Sequence, residues 1–559
     1  MESVAFLPRP GYPDSVDRQR FDLCLRGGTL VDVRRGVLTG AAVAVTGGQI
    51  TAVGDENELA ATAVRVIDIH GGVVVPGYIE PHTHSILANP AEMAYAIGAH
   101  GTTTAVVDGL PLMMTVPPDQ LPGVLELLSS LPVTLRWLIR LQPQSFADER
   151  TFSLPALQAL WRRPFAAAVG EVTRWPDVLA GDADLLAKIA AAREDQVRVE
   201  GHAPGASLER LRGLAAAGFT SCHEAISAAE VANRLEAGLY AMLRDSSIRP
   251  DLPDLLKGIP DGAIAAGRVM LTVDGPSPIF LDDFGYQDRL LAVAINAGIE
   301  PLDALRMVTV NPADYFGFSD RGEIAVGRRA DLNVLQSLDD PRPTLVIAGG
   351  EIIAEAGRTA APPPLPLASL IPPPRLPDLA ADFFTRSDGA LPTLRFVNDV
   401  ILDLGPDAEP ALRVMLVDRA GRWVTRAHVA GFADRLGGLA TTISSAFDPL
   451  ILGSDPADMA AAYRLLAHQG GGIAVVEDGA TVFSLPLELG GIFSPRPWAA
   501  MVTANRQFLE TLRERGYRFA DPLFSLLFLT FDSLPYVRLT SRGIWDVRHR
   551  KILHPSQPL

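Results

Sequence analysis

From Asp22 to Val33, Ala41 to Thr46 and Gln49 to Val53, apolar residues alternate with polar ones or run together, and Gly47-Gly48 marks a tight hairpin turn. This is the texture of short strands. From residue 73 to about 320 the pattern changes. Apolar strand-like runs alternate with Ala- and Leu-rich stretches such as Asp182 to Ala192 and Ser207 to Ala216. That alternation predicts a parallel sheet with crossover helices, and its length suits an eightfold (β/α)8 barrel. Short strands return over 321–357, so the two flanks of the barrel are predicted to pair into one small β domain. Ala361 to Pro377 holds eight prolines and predicts a semi-rigid, exposed linker. Beyond about 385, strands and helices mix around Gly437-Gly438-Leu439-Ala440, a glycine run at 470–472 and a strand-like Ile473 to Val476. The expected division is 1–73 and 321–360 for the two parts of the small β domain, 74–320 for the barrel, 361–384 for the linker and 385–559 for a C-terminal α+β domain. The class is α/β.

Composition narrows the picture little. At 559 residues the chain is long enough for two or three domains. A formal net charge of −16 argues against nucleic acid or an anionic membrane as the main partner. Two cysteines, Cys24 and Cys222, exclude a disulfide framework and fit a reducing compartment. The N-terminal segment carries Arg9, Asp14, Asp17, Arg18 and Arg20 without an apolar core, unlike a signal peptide, and no uncharged apolar run reaches the length of a membrane span. A cytoplasmic protein acting on a small molecule is expected.

The densest chemistry lies in Val74-Val75-Pro76-Gly77-Tyr78-Ile79-Glu80-Pro81-His82-Thr83-His84. On a strand, residues two apart share a face, so His82 and His84 can converge on one metal at the strand's C-terminal end. Barrel enzymes carry their functional side chains at that end. Further along, Glu171 follows the apolar run Phe165 to Gly170. His202 sits in Gly201-His202-Ala203-Pro204-Gly205, His223 in Ser221-Cys222-His223-Glu224, and Asp274 ends Val269 to Asp274. Each closes a strand-like run. Taken singly, any of them could be a buried histidine, an ion-paired acid or a turn cap. Six metal-type residues in this order are far less easily explained that way. His70, His100, His428, His468, His549 and His554 lack such flanks and read as structural or exposed.

The order of these residues resembles the amidohydrolase superfamily of metal-dependent barrel hydrolases. Finer segments resemble its adenine deaminase family: Gly201 to Gly205, Ser221 to Glu224, Gly238 to Ser246, Asn311 to Gly317, Gly327 to Leu332, Leu465 to Val476 and Leu539 to Val547. The resemblance runs from about residue 22 through most of the chain. It implies a two-metal site, with His82, His84 and Asp274 on one ion, His202 and His223 on the other, and Glu171 bridging. The donor types suit zinc, manganese or divalent iron, and the resemblance favours manganese or iron. It further implies hydrolytic deamination of adenine or a related aminopurine by a metal-activated water, releasing ammonia. Asp274, His223 and Glu224 would be the catalytic groups, with Asp274 taking the proton of the water and handing it to the leaving group. Glu224 can also be read as orienting a ligand, or simply as a helix-start carboxylate. Arg244, Trp175 and Asp108 are candidate substrate contacts, although Arg244 reads equally as half of a buried ion pair and Arg174-Trp175 as an exposed loop. Enzymes of this kind are frequently homo-oligomers, and one is expected here.

Several polar groups of the family are absent. Where it has an Ile-Glu-Ser-Ser type segment after the two histidines, this chain has Ser85-Ile86-Leu87-Ala88. An Asp-Pro-His-Glu segment is replaced by Asp108-Gly109-Leu110-Pro111, Thr-Asp-Asp by Val273-Asp274-Gly275, and Gly-His by Gly285-Tyr286. A C-terminal His-Asp-Ser-His-Asn segment is replaced by Ser444-Ser445-Ala446-Phe447-Asp448. A site that reads a base by hydrogen bonds discriminates through such groups, so a less polar pocket and an altered substrate are expected. Two alternatives accompany the deaminase reading: hydrolysis of a cyclic or acyl amide C–N bond by the same metals, and a non-catalytic scaffold, which the intact set of six ligand candidates disfavours.

Overall fold

The computed structural model describes residues 20–145, 152–386, 390–405 and 411–559. The charged segment carrying Arg9, Asp14, Asp17 and Arg18 lies outside them. Eight parallel strands form the barrel in chain order: β1 (Tyr78–Thr83), β2 (Thr102–Asp108), β3 (Thr134–Ile139), β4 (Ala166–Val172), β5 (Arg198–Gly201), β6 (Ser221–Cys222), β7 (Tyr240–Arg244) and β8 (Val269–Thr272). The seam between β8 and β1 closes just beyond the strands, where Thr83 pairs with Asp274 and the His84 N–H donates to the Asp274 carbonyl at 3.0 Å. Two of the crossover helices start at side-chain caps. The Asp182 carboxylate accepts from Leu185 N ahead of helix Ala183–Glu194, and the Ser207 hydroxyl accepts from Arg210 N ahead of helix Leu208–Ala217.

The two-residue period of the strands sorts their side chains. Ala105 and Val107 point outward into the layer shared with the helices. Val106, Leu138 and Ala168 point inward, as do Met242 and Met270, and Tyr315, Phe316 and Phe318 plug the barrel's lower end. The same parity places Asp108, Arg140, Arg244 and Thr272 on the inward face at the upper end.

The flanking segments share a seven-stranded sheet in which Leu332–Ser337 runs antiparallel to Val73–Pro76. A four-stranded sheet comprises Gln49–Gly54, Ala42–Thr46, Phe21–Arg26 and Ala63–Asp68. The proline-rich stretch is largely exposed, as expected, with one difference. Leu367 and Ile371 are buried in the barrel's hydrophobic layer, because an apolar side chain beside an apolar surface gains more by docking than by hydration.

Among the described residues, the C-terminal region builds a nine-stranded sheet with helices Pro456–His468, Trp498–Arg513 and Pro522–Leu529. It sits on the upper end of the barrel. Phe493–Ser494 pairs with Leu87–Ala88, Asn89 Nδ2 donates to the Ser494 carbonyl at 2.9 Å, and Arg174 pairs with Asp532 at 2.7 Å. Arg174 is thus a clamp to the C-terminal domain and not an exposed loop residue.

Candidate metal centre

All six candidate ligands meet at the upper end of the barrel. His82 Nε2 and His84 Nε2 are 3.1 Å apart, as their shared strand face requires. Asp274 Oδ1 lies 3.4 Å from the first and 3.3 Å from the second. Glu171 Oε2 is 3.9 Å from His84 Nε2, while its other oxygen is 3.3 Å from His223 Nε2 and in contact with His202. Glu171 therefore spans the two halves of the cluster. Three interlocking sets, His82 with His84 and Glu171, Glu171 with His202 and His223, and His82 with His223 and Asp274, each bring their ligand atoms within 4.8 Å of one another.

Local backbone explains two of these placements. Glu171 follows Gly170, whose φ is +123° and whose missing Cβ leaves room for the Glu200 carbonyl, 2.4 Å from where that carbon would sit. Only glycine lets β4 and β5 approach so closely. Asp274 itself has φ +65°, a conformation that aspartate tolerates better than most residues. Its N–H donates to Thr272 Oγ1 at 3.0 Å, which turns its carboxylate inward.

Three of the supporting groups, Glu200, Arg140 and Glu80, were not singled out by sequence reasoning, whereas Arg244 was. Glu200, fully buried, sets one carboxylate oxygen 2.9 Å from both His82 Nδ1 and His223 Nδ1. It thereby turns the Nε2 atoms of two stacked rings toward the centre. Arg140 is also fully buried. Its guanidinium holds both oxygens of Asp108, at 2.9 and 2.8 Å, and Glu171 Oε2 at 2.6 Å. Arg244 reaches Glu224 on one side and Asp274 Oδ2, at 3.0 Å, on the other. Glu80, buried at the β1–β8 seam, accepts from His82 N, Thr272 Oγ1, Val273 N and Gln287 Nε2, and burial pushes its carboxyl up to about 7. The available signal was strand parity. Glu200 stands two residues before His202, and Arg140 lies just beyond the end of β3.

Three assignments need correction. Asp108 touches the cavity, but its carboxylate is consumed by Arg140 and by His84 Nδ1 at 3.1 Å. It orients a histidine and is not free to read a substrate. Trp175 does not line the cavity. It opens helix Trp175–Leu179 and lies under Arg210, 5.8 Å from the ring centre. Glu224 begins no helix, since the next one starts at Ala228. Its Oε1 lies 3.4 Å from His223 Nε2 and 3.5 Å from His202 Nδ1.

The electrostatics are those of a cation site. Burial disfavours the imidazolium of His84, but Asp108 and Asp274 outweigh it and raise the ring to about 9. For His223, burial and the neighbouring His82 are outweighed by Glu171 and Glu200, which raise it to about 10. Glu171 and Asp274 are held well below the usual carboxylate range despite burial, the first chiefly by Arg140 and His202, the second by His82 and His84. Both ring nitrogens of His202 are buried without a hydrogen bond, although Nδ1 touches Glu171. Imidazoles and carboxylates with unspent lone pairs, converging in a buried pocket, fit divalent ions.

His84 and Asp274 are the ligands most open to the cavity, with side chains 25% and 20% exposed. The cavity above them has a polar floor and an apolar roof. Leu110, Gly275 and Phe447, three of the residues that depart from the family pattern, line it together with Phe524, Phe528 and Phe531 from the C-terminal domain.

The chain is similar to known proteins over most of its length. Residues 73–353 match the amidohydrolase family, and residues 395–551 match the adenine deaminase C-terminal domain. A Halalkalibacterium halodurans protein provisionally named an adenine deaminase is 35% identical over 88% of this chain and 87% of its own. An adenine deaminase of Cereibacter sphaeroides is 32% identical over 98% of this chain and 100% of its own, and one of Desulfatibacillum aliphaticivorans is 28% identical over 94% and 95%. Among solved structures, a zinc-containing adenosine deaminase from Xanthomonas campestris shows a weaker likeness, with 18% identity over 63% of this chain and 96% of that one and a TM-score of 0.45. The chain belongs to the adenine deaminase family of the amidohydrolase superfamily, whose enzymes act on C–N bonds.

Proposed function

We propose that the chain hydrolyses the exocyclic C–N bond of adenine or a related aminopurine, with two divalent ions at the six-residue centre. Residues 74–320 form the catalytic unit. The observation that carries this reading is the position of Asp274 Oδ1, within 3.4 Å of both His82 Nε2 and His84 Nε2 at the open face of the cluster. His82, His84 and Asp274 would hold one ion, His202 and His223 the other, and Glu171 both; manganese or iron is favoured over zinc. When bound, the ions supply Lewis acidity that makes water a nucleophile near neutral pH.

The chain's own groups do the rest. Asp274 accepts the proton of the water and delivers it to the leaving amino nitrogen. Water adds to the ring carbon, the C–N bond breaks, and an oxopurine and ammonia result. Arg244 holds the second oxygen of Asp274 and keeps that carboxylate aimed. Glu200 and Asp108 fix the imidazole tautomers. The phenylalanine roof keeps bulk water out. Buried, unpaired Cys24 and Cys222 support a cytoplasmic setting.

A second reading, hydrolysis of an amide C–N bond, draws on Leu110, Gly275 and Phe447, which put apolar surface where a polar base edge would be read. Metal-loaded protein assayed against aminopurines and small cyclic and acyl amides separates the two. Ammonia release matched by a purine absorbance change is expected. A new carboxylate without ammonia would replace the deaminase reading with the amide one. Adenine turnover equal to that of a dedicated adenine deaminase would sink the idea of altered specificity.

A further inference from the structure

The charged groups that line the cavity fall into two kinds. Asp108, Glu171, Glu224 and Asp274 are each engaged by Arg140, Arg244 or the histidines. Arg244 is held by Glu224 and Asp274 through its terminal nitrogens. Arg249 also lines the cavity, yet its guanidinium has no hydrogen bond and no ion pair among the described residues. Asp251 lies within electrostatic range of Arg249 but beyond ion-pair distance.

The backbone beneath Arg249 is fixed. Ser246 N donates to the Arg249 carbonyl at 3.0 Å and Arg249 N donates back to Ser246 at 3.1 Å. Between them, Ile248 packs against Val400, Phe531 and Leu534 of the roof. Arg249 is half-buried on a closed loop whose Ile248 is seated against the roof, so it is partly shielded from water. It therefore gains more from an incoming anion than an exposed arginine would.

We infer that Arg249 is a specificity-determining residue for a substrate with an apolar, planar body and an anionic group. The body lies under Phe447, Phe524 and Phe528, and the carboxylate or phosphate meets Arg249. This rests on the metal centre acting as proposed above, but it is tested by binding as well as by turnover.

The experiment uses the full metal-loaded chain and matched aminopurines that carry a carboxymethyl or a propyl group at each ring position in turn. Dissociation constants come from calorimetry and rates from ammonia release. At one position the carboxymethyl compound is expected to bind about tenfold or more tightly than its propyl partner. Arg249→Met should abolish that preference, Arg249→Lys should retain part of it, and Asp251→Asn should leave it intact or enlarge it. Metal content and thermal midpoint of each variant report whether the fold is intact. Equal binding of both partners at every position, or a preference that survives Arg249→Met and so comes from the metals, would overturn the inference. An Arg249-dependent preference without ammonia release would sink only the deaminase reading. Deamination with no such preference would sink only this one.

Discussion

Each side chain of the centre has a distinct task, and single substitutions separate them. Asp274→Asn removes the proposed proton carrier and one candidate ligand oxygen. Turnover should fall by about 10²–10⁴-fold, with metal content reduced by no more than one ion per chain. Loss of metal with undiminished turnover would contradict the assignment. Glu200→Gln keeps the volume but weakens the support of two imidazoles, so metal affinity measured by chelator competition should drop about 10–100-fold. Arg140→Met strands the carboxylates of Asp108 and Glu171 in a buried setting. Its cost should reach about 3–5 kcal/mol in denaturant unfolding of metal-free protein; an unchanged midpoint would show that the clamp does not bear on stability. The six candidate ligands were legible as a converging set, because each closes an apolar run and carries recognisable flanks. Glu200 and Arg140 were not, because a lone acid or arginine at a strand end looks like any surface charge until its neighbours are known. Trp175 misled for the opposite reason: nearness to Glu171 in the chain is not nearness to the cavity once a helix begins.

At the scale of elements, the barrel positions the metal floor and the C-terminal domain supplies the roof. Alternating strand and helix patterns made the barrel readable, since period-two and helical spacing are local properties. The pairings that dock the C-terminal domain were not readable, because they join distant segments, such as Leu87 with Phe493 and Arg174 with Asp532. Those contacts hold helix Pro522–Leu529 over the cavity. Arg174→Ala should loosen that cover. Hydrogen exchange is expected to rise over 522–534 and to stay unchanged in β1 and β8, while KM rises more than kcat falls. Exchange that rises evenly through the barrel would point instead to general destabilisation.

For the whole molecule, the candidate centre favours positive charge, because its buried carboxylates outweigh the burial of two imidazoles. His84 and His223 have folded values raised to about 9 and about 10, above the ordinary imidazole value. In metal-free protein their contribution to stability is fully present below pH 6.5 and is lost as the pH rises through those raised values. Divalent ions need neutral imidazoles, so loading must expel these protons. Apparent metal affinity should therefore climb between pH 6 and pH 9, and calorimetry in buffers of different ionisation enthalpy should register protons released per ion bound. No helix among the described residues is long and apolar enough to cross a membrane. The metal stoichiometry of the purified, reconstituted chain tests the central claim most directly. About two divalent ions per chain are expected, with ammonia release lost to a chelator and restored by adding the ion back. A chain that binds fewer than one ion, or that turns over undiminished after complete chelation, would contradict it.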